Sequence, residues 1–349
     1  MNKRVFYTHS VKTSFVRKDV GLLEENYSVR TFYFNPNNKF LVPFQFMKQF
    51  FVAGFLILKS DIVITQFAGY QSFLPALFAK IYGKPSLIIL GGTDCVSFPS
   101  IRYGNFFRPG LKQFTAWSLR LSTHLSPVHK SLVKSKYTYT NDDYPEQGYL
   151  AFCPKVKAPF TELFYGYDSN QFRDDQEKIP NSFITVGFLD PITYFRKGID
   201  LIIMLANEKP DYTFTIVGGT IADLPVKEVP SNVTLVDSVS YEELKDLYAK
   251  HEFYFQLSIC EGFPSAICEA MLCGCIPIGS DVAAIPEIIG GTGFVLKHKD
   301  NDDLLHLIEK ATTCDKENHA NLARNRITTN FPLDTRNKLI ELIESMFKK

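Results

Sequence analysis

Apolar positions recur along this chain with two periods. In the first half, short apolar runs at residues 4–8 and 28–34 read as strands, and 61–66, 86–90 and 123–126 are apolar enough for strands buried on both faces. Residues 14–26 carry their apolar positions at helical spacing. Residues 39–59 are almost continuously apolar and aromatic, with Gln45 and Lys48 toward one side, which predicts a helix. Phe40, Leu41, Phe44, Phe46, Phe50, Phe51, Phe55 and Leu56 give that helix two uses: covering a sheet, or resting on lipid as an interfacial helix. The second half alternates more cleanly. Strands are predicted at 183–186, 212–217, 233–236, 253–256, 276–280 and 293–295, with helices at 198–207, 241–250, 265–273, 284–289 and 302–312. Buried strands separated by helices form parallel sheets wound on both faces, so the fold class is α/β with doubly wound, Rossmann-like domains. Two such domains joined near 160–180 would face a cleft at the carboxyl ends of their strands, where such folds bind ligands.

The 349-residue length suits two domains of about 100–200 residues each. No uncharged apolar run reaches 18 residues, so no transmembrane helix is expected. The first residues enter a strand pattern without an apolar leader, which makes a cytoplasmic location the expectation. Seven cysteines occur, four of them (Cys260, Cys268, Cys273 and Cys275) close together; their spacing matches no standard zinc pattern, and buried small hydrophobes are the better account.

Net charge is +1, but residues 1–165 hold 20 Lys and Arg against 9 Asp and Glu, while 166–349 hold 18 against 28. A basic first half is drawn to an anionic membrane surface or a phosphorylated acceptor; solvated lysines on one face explain it equally. No nucleic-acid partner is expected.

The densest chemistry lies in Ser258-Ile259-Cys260-Glu261-Gly262-Phe263-Pro264-Ser265, running on to Glu269. Two carboxylates flank a Gly-Phe-Pro turn that feeds a helix, with Pro264 and Ser265 suited to its first turn and Ser265 or a neighbouring backbone group placed to cap it. A helix start offers unpaired N–H groups and partial positive charge to a phosphate. A carboxylate accepts hydrogen bonds from vicinal hydroxyls. The segment therefore outlines a site for a nucleotide-sugar, although a glutamate pair on a solvated face is the commoner meaning of such a pattern in isolation.

Glu261 and Glu269 match the Glu-x7-Glu hallmark of the glycosyltransferase-4, or group 1, family, which the chain resembles over roughly residues 165–310. Gly274-Cys275-Ile276-Pro277-Ile278-Gly279-Ser280 and Ile285-Pro286-Glu287-Ile288-Ile289 follow the family order, as do Gly187 after its strand, Arg196-Lys197-Gly198 and Gly166-Tyr167-Asp168. The resemblance implies a GT-B fold. Its expected parts are an acceptor-binding domain at 1–165, a nucleotide-sugar-binding domain at 166–334 and a final helix at 335–349 returning to the first domain. It implies retaining, metal-independent transfer of a hexose from a nucleoside diphosphate sugar to a saccharide or lipid-linked hydroxyl acceptor, with no cofactor beyond that co-substrate. The setting would be cell-surface polysaccharide or glycolipid synthesis, with peripheral attachment to the inner face of the membrane.

Residue by residue, the resemblance implies that Lys197 binds phosphate, that Glu269 reads ribose hydroxyls and that Glu261 lies near the donor sugar. Arg196 reaches the same phosphates, and Gly187, Gly262, Phe263, Pro264 and Ser265 complete the donor cradle. Asp94 is the first-domain carboxylate expected to act in catalysis, with a loop-stabilising role as the alternative. His9 and Arg102 are acceptor-side candidates. Two departures stand out: Phe188 replaces the arginine usual after Gly187, and Gly91 replaces a histidine usual near the reacting sugar. They keep open an epimerase or phosphorylase of the same fold, and a non-catalytic sugar-nucleotide-binding protein.

Overall fold

The computed structural model describes residues 3–35, 40–172 and 175–348. Residues 1 and 2 of the expected first domain, residue 39 of the aromatic helix and residue 349 of the final helix lie outside the described residues. The chain forms two compact units, one of Met1–Lys136, Glu146–Tyr165 and Asp334–Lys349, the other of Tyr137–Pro145 and Gly166–Leu333. The short segment 137–145 thus belongs with the second unit, although its sequence position falls in the first half.

In the first unit, β1 (Arg4–His9), β2 (Ser28–Tyr33), β3 (Ile62–Gln66), β4 (Ser86–Leu90) and β5 (His124–Pro127) form a parallel sheet in the order β2-β1-β3-β4-β5. Order reverses between β1 and β3, the switch point of a doubly wound sheet. The helices α1 (Ser14–Asn26), α2 (Val42–Leu58), α3 (Tyr70–Ile81) and α4 (Pro109–Leu121) intervene, and a two-stranded hairpin of β6 (Ser135–Lys136) and β7 (Glu146–Gln147) precedes the short α5 (Tyr149–Phe152).

The aromatic stretch covers the sheet with one face and leaves the other open to solvent. Along α2, Gln49, Ala53, Gly54 and Ile57 are buried, and Ala53 and Ile57 join a core with Phe6, Phe32, Phe34, Leu74 and Phe78. The opposite face leaves Phe44, Met47, Phe51, Phe55 and Leu58 exposed, each more than half. Spacings of three and four put these side chains on one stripe.

In the second unit, β8 (Ile179–Val186), β9 (Thr213–Val217), β10 (Val233–Val236), β11 (His251–Gln256), β12 (Ile276–Ser280) and β13 (Phe294–Leu296) form a parallel sheet ordered β10-β9-β8-β11-β12-β13. That is the Rossmann order, reversing between β8 and β11. Its helices are α6 (Pro191–Arg196), α7 (Ile199–Glu208), α8 (Tyr241–Lys250), α9 (Ser265–Leu272), α10 (Ile285–Ile289), α11 (Asn301–Thr312) and α12 (Lys316–Asn330). Neither α6 nor α12 was visible in the sequence pattern. The core centres on Phe183, whose ring stacks near Phe214, Phe253 and Phe255 at 4.8–5.2 Å.

The last helix, α13 (Lys338–Phe347), follows a 3-10 turn over Leu333–Asn337 and is part of the first unit. Arg336 anchors it there. Its guanidinium donates to both oxygens of the buried Asp19 at 2.7 and 2.6 Å and to the Leu163 carbonyl at 3.0 Å.

Candidate active site

The ends of β8 and β11 place the motif residues. Past β8, Gly187 lies against the stem of Lys197, and Asp190 caps α6 by accepting from the Thr193 N–H at 2.6 Å. Pro191 at the first helical position completes that start. The helix ends at Arg196, and Gly198 turns the chain into α7 with a left-handed φ of 71°. A side chain at 198 would collide with the Leu257 carbonyl, so glycine is required there twice over. The resulting close approach is fixed by the Ile259 N–H donating to the Arg196 carbonyl at 2.8 Å. This is why Lys197, 64 residues away in sequence, meets Glu261.

The meeting is an ion pair. Lys197 Nζ lies 2.6 Å from Glu261 Oε1, and Arg196 Nη1 lies 3.9 Å from the same oxygen. Ser258 Oγ and Gln256 Nε2 also donate to it, at 2.9 and 3.1 Å. Burial pushes the Glu261 carboxyl up, but the charges of Lys197 and Arg196 and the hydrogen bonds from Lys197 and Ser258 outweigh it, holding the group below its ordinary value. Glu261 is therefore a carboxylate at neutral pH.

The expected cap on α9 is a correction. Pro264 occupies the N-cap position with extended backbone, and no side chain caps this helix. Ser265 instead accepts a hydrogen bond from Tyr167 at 2.9 Å. Proline and a preoccupied serine leave the first-turn N–H groups without a side-chain acceptor, the arrangement that favours an anion. Gly262 is buried, and Phe263 packs its ring against Phe331 at 5.3 Å, so the Phe263 side chain is core and only its backbone is left for the expected cradle. Glu269 lies on α9, where Tyr241 Oη donates to it at 3.4 Å.

In the first unit, Asp94 takes its alternative role. It is 1% exposed, and its oxygens accept from the backbone N–H groups of Ala68, Gly91 and Gly92 at 2.9–3.1 Å. A carboxylate so occupied clamps the loop after β4, so its expected catalytic role is withdrawn. Burial pushes its carboxyl up, against those same N–H groups. His9 lies at the end of β1 beside the switch point, its Nδ1 2.6 Å from the Val11 carbonyl and its ring near Tyr7 and Tyr33. Arg102 is exposed on a left-handed turn (φ 53°). Gly91 has a physical reason for its departure: a side chain there would run into the Phe67 ring. Phe188, the other departure, is 80% exposed.

The sequence reading missed Tyr167, Tyr241, Tyr254, Gln256 and Ser258. The signal for the last two was present, as polar side chains at the end of an apolar strand and at the start of the motif that follows it. Six of the seven cysteines are buried and all are free. Among the described residues no cluster of His, Cys, Asp or Glu is placed to hold a metal ion, and no helix is long and apolar enough to cross a membrane.

Two Rossmann-like units, the second carrying this site at its switch point, define the GT-B class. Sucrose-phosphate synthase from Thermosynechococcus elongatus superimposes with a TM-score of 0.74 at 14% identity, covering 99% of each chain. An Anabaena HepE structure in complex with UDP and glucose gives 0.64 at 14% identity, covering 98% of this chain and all of that one. Residues 170–328, most of the second unit, match the family model of glycosyl transferases group 1. Among curated relatives, the phosphatidylinositol N-acetylglucosaminyltransferase gpi3 subunit of Schizosaccharomyces pombe is 24% identical over 155 residues, 42% of this chain and 34% of that protein. The chain matches only about a third of that relative's length.

Proposed function

We propose that the chain transfers a hexose from a nucleoside diphosphate sugar to a hydroxyl acceptor with retention of configuration and without a metal ion. The observation that carries this reading is the convergence of Lys197, Arg196 and Glu261 at the switch point of a sheet whose next helix, α9, begins without a side-chain cap. As the glycosidic bond breaks, its electron pair leaves with the diphosphate. Lys197, Arg196 and the first-turn N–H groups of α9 would take up that charge, the work a metal does in other transferases. Glu261 would orient sugar hydroxyls and offset positive charge at the reacting carbon, and Glu269 would read the ribose. The acceptor oxygen would attack from the face the diphosphate leaves and pass its proton to the departing phosphate. In this reading the second unit is the donor domain, and the first, with His9 and Arg102, the acceptor domain.

A membrane-bound acceptor fits the first unit. By sequence that unit holds 24 Lys and Arg against 10 Asp and Glu. The exposed stripe of α2 bears Phe44, Phe51 and Phe55 with Lys48 and Lys59 and no acidic residue. Apolar side chains entering an anionic leaflet beside surface cations is the pattern of an interfacial helix. The relative from Schizosaccharomyces pombe has a phosphatidylinositol in its name, which supports a lipid-linked acceptor and glycolipid synthesis.

Thermal-shift screening against UDP-, GDP- and ADP-sugars, followed by transfer assays with the stabilising donor, tests the proposal. Stabilisation by a nucleotide-sugar and product of unchanged anomeric configuration are expected. Free epimer without an acceptor would favour the epimerase alternative, and binding without turnover a non-catalytic protein.

A further inference from the structure

Beneath Glu261 lies a chain of buried polar side chains that the transfer chemistry just described does not use. Tyr254, Gln256, Ser258 and Ser280 are each at most 1% exposed. Tyr254 Oη donates to Gln256 Oε1 at 3.2 Å. That bond sets the amide, so its NH2 points the other way, donating to Ser258 Oγ at 2.7 Å and to Glu261 Oε1 at 3.1 Å. Ser258 Oγ in turn donates to Glu261 Oε1 at 2.9 Å, and Ser280 Oγ donates to the Ser258 carbonyl at 2.7 Å.

Two features make this more than filler. Burying an amide in a strand is costly unless every donor and acceptor is met, and an apolar residue of like volume would stabilise the core at least as well. Here both amide hydrogens and the oxygen are used, and two successive donors converge on one atom. The hydrogen bonds that Lys197, Gln256 and Ser258 donate to the Glu261 carboxylate all fall on Oε1. The network thus grips one oxygen and fixes the plane of the carboxylate.

We propose that Gln256, its amide set by Tyr254, is a positioning residue for the transfer reaction: it holds Glu261 by Oε1 and turns Oε2 toward the donor sugar. The proposal rests on the glycosyl-transfer reading above. The charged and titratable groups facing Glu261 are Lys197 and Arg196 at the end of α6, with Tyr254 and Cys260 buried beside it. Of these only the two cations favour its charged form, so loss of the amide donor weakens the hold on the carboxylate without abolishing it.

The test uses the full chain and its Gln256→Met, Gln256→Glu and Tyr254→Phe variants. The Glu261 carboxyl is followed by carbon-13 NMR of glutamate-labelled protein, its signal assigned by loss in Glu261→Gln. In Gln256→Met its titration should move upward, and kcat should fall roughly 10- to 100-fold, as loss of a charge-assisted bond implies, with affinity for the stabilising nucleoside diphosphate unchanged. The acid limb of the kcat profile should follow the titration. Gln256→Glu, which sets a second carboxyl against the first, should move both further, and Tyr254→Phe less far. An unmoved titration and kcat, with only the melting temperature lowered, would mean packing alone and overturn the proposal. A moved titration in a protein that turns over none of the UDP-, GDP- or ADP-sugars would uphold the grip on Glu261 and sink the transfer reading instead.

Discussion

Lys197 and Glu261 are bonded to each other at 2.6 Å, although a bound donor would need the first for its diphosphate and the second for its sugar. A nucleoside diphosphate must therefore share Lys197 with a carboxylate that already holds it. Removing the competitor without removing the shape should help binding and harm chemistry. Glu261→Gln is expected to bind the nucleoside diphosphate several-fold more tightly while its transfer rate collapses. Lys197→Met should weaken that binding by roughly 10- to 100-fold, the scale of one charge-assisted contact. Calorimetry on both variants checks the pair. Equal affinities for all three proteins would show that neither side chain reaches the phosphates.

The α2 stripe predicts membrane binding that is separable from stability. Phe44, Phe51 and Phe55 are 57–68% exposed, so replacing all three with serine removes little from the core. Flotation with phosphatidylglycerol vesicles should capture the native chain and lose the triple variant, with unfolding midpoints nearly the same. Capture should also weaken as salt is raised, because surface cations share in it. Equal flotation of the two proteins would remove α2 from the account.

How far the sequence reached depended on what kind of force fixes each feature. The strands at 86–90, 233–236 and 276–280 and the helices at 14–26 and 241–250 have the observed bounds, because each is marked by a strong apolar period with clear ends. The helix α12 escaped notice because it buries little beyond Ala323 and Ile327 and so has almost no apolar face to detect. Glu261 and Lys197 were legible by motif. That they bind one another was not, since it depends on Gly198 meeting the Leu257 carbonyl, a contact between segments about 60 residues apart. For Asp94 both roles stayed open for the converse reason: a loop aspartate that clamps N–H groups and one that faces a ligand look alike until their partners are seen.

Arg336 and Asp19 should dominate the stability of the first unit out of proportion to their number. Their bidentate bond is almost fully buried, with Asp19 at 0% and Arg336 at 7% exposure. Arg336→Met leaves an unpaired carboxylate in the core and is expected to cost about 3–5 kcal/mol in urea unfolding. Adding Asp19→Leu should recover most of that loss, because the cost lies in the stranded charge more than in the missing bond. A double variant no more stable than the single one would contradict this.

His251 predicts an acid-sensitive step in stability. Burial lowers its pKa, and its ring is used up: Nδ1 donates to the Leu247 carbonyl at 2.6 Å and Nε2 accepts from Thr215 Oγ1 at 2.8 Å. The folded state therefore takes up the proton less readily than the unfolded chain, whose histidine titrates near about 6.5. Stability should be flat above that pH and fall as pH drops from it toward the lower folded value. His251→Gln should lose this part of the slope, read as the difference in melting temperature between buffers roughly one unit above and one unit below the unfolded histidine's titration near about 6.5. An identical slope in the variant would place the acid sensitivity elsewhere.

Glu269 carries the most specific claim about the donor, because hydroxyl recognition can be separated from phosphate recognition by changing the ligand alone. It lies on α9, eight residues beyond Glu261, with Tyr241 Oη 3.4 Å from its carboxylate. A carboxylate accepting from ribose hydroxyls should distinguish a ribonucleoside diphosphate from its 2′,3′-dideoxy analogue. Glu269→Ala is expected to lose about 10-fold or more in affinity for the first, on the scale of a hydrogen bond to a charged group. The dideoxy ligand, which offers nothing to accept from, should bind both proteins alike. Tyr241→Phe should act in the same direction but less strongly, since it removes a bond that orients the carboxylate and leaves the carboxylate itself in place. If Glu269→Ala weakens both ligands equally, the residue supports the shape of α9 and the ribose is read by another group.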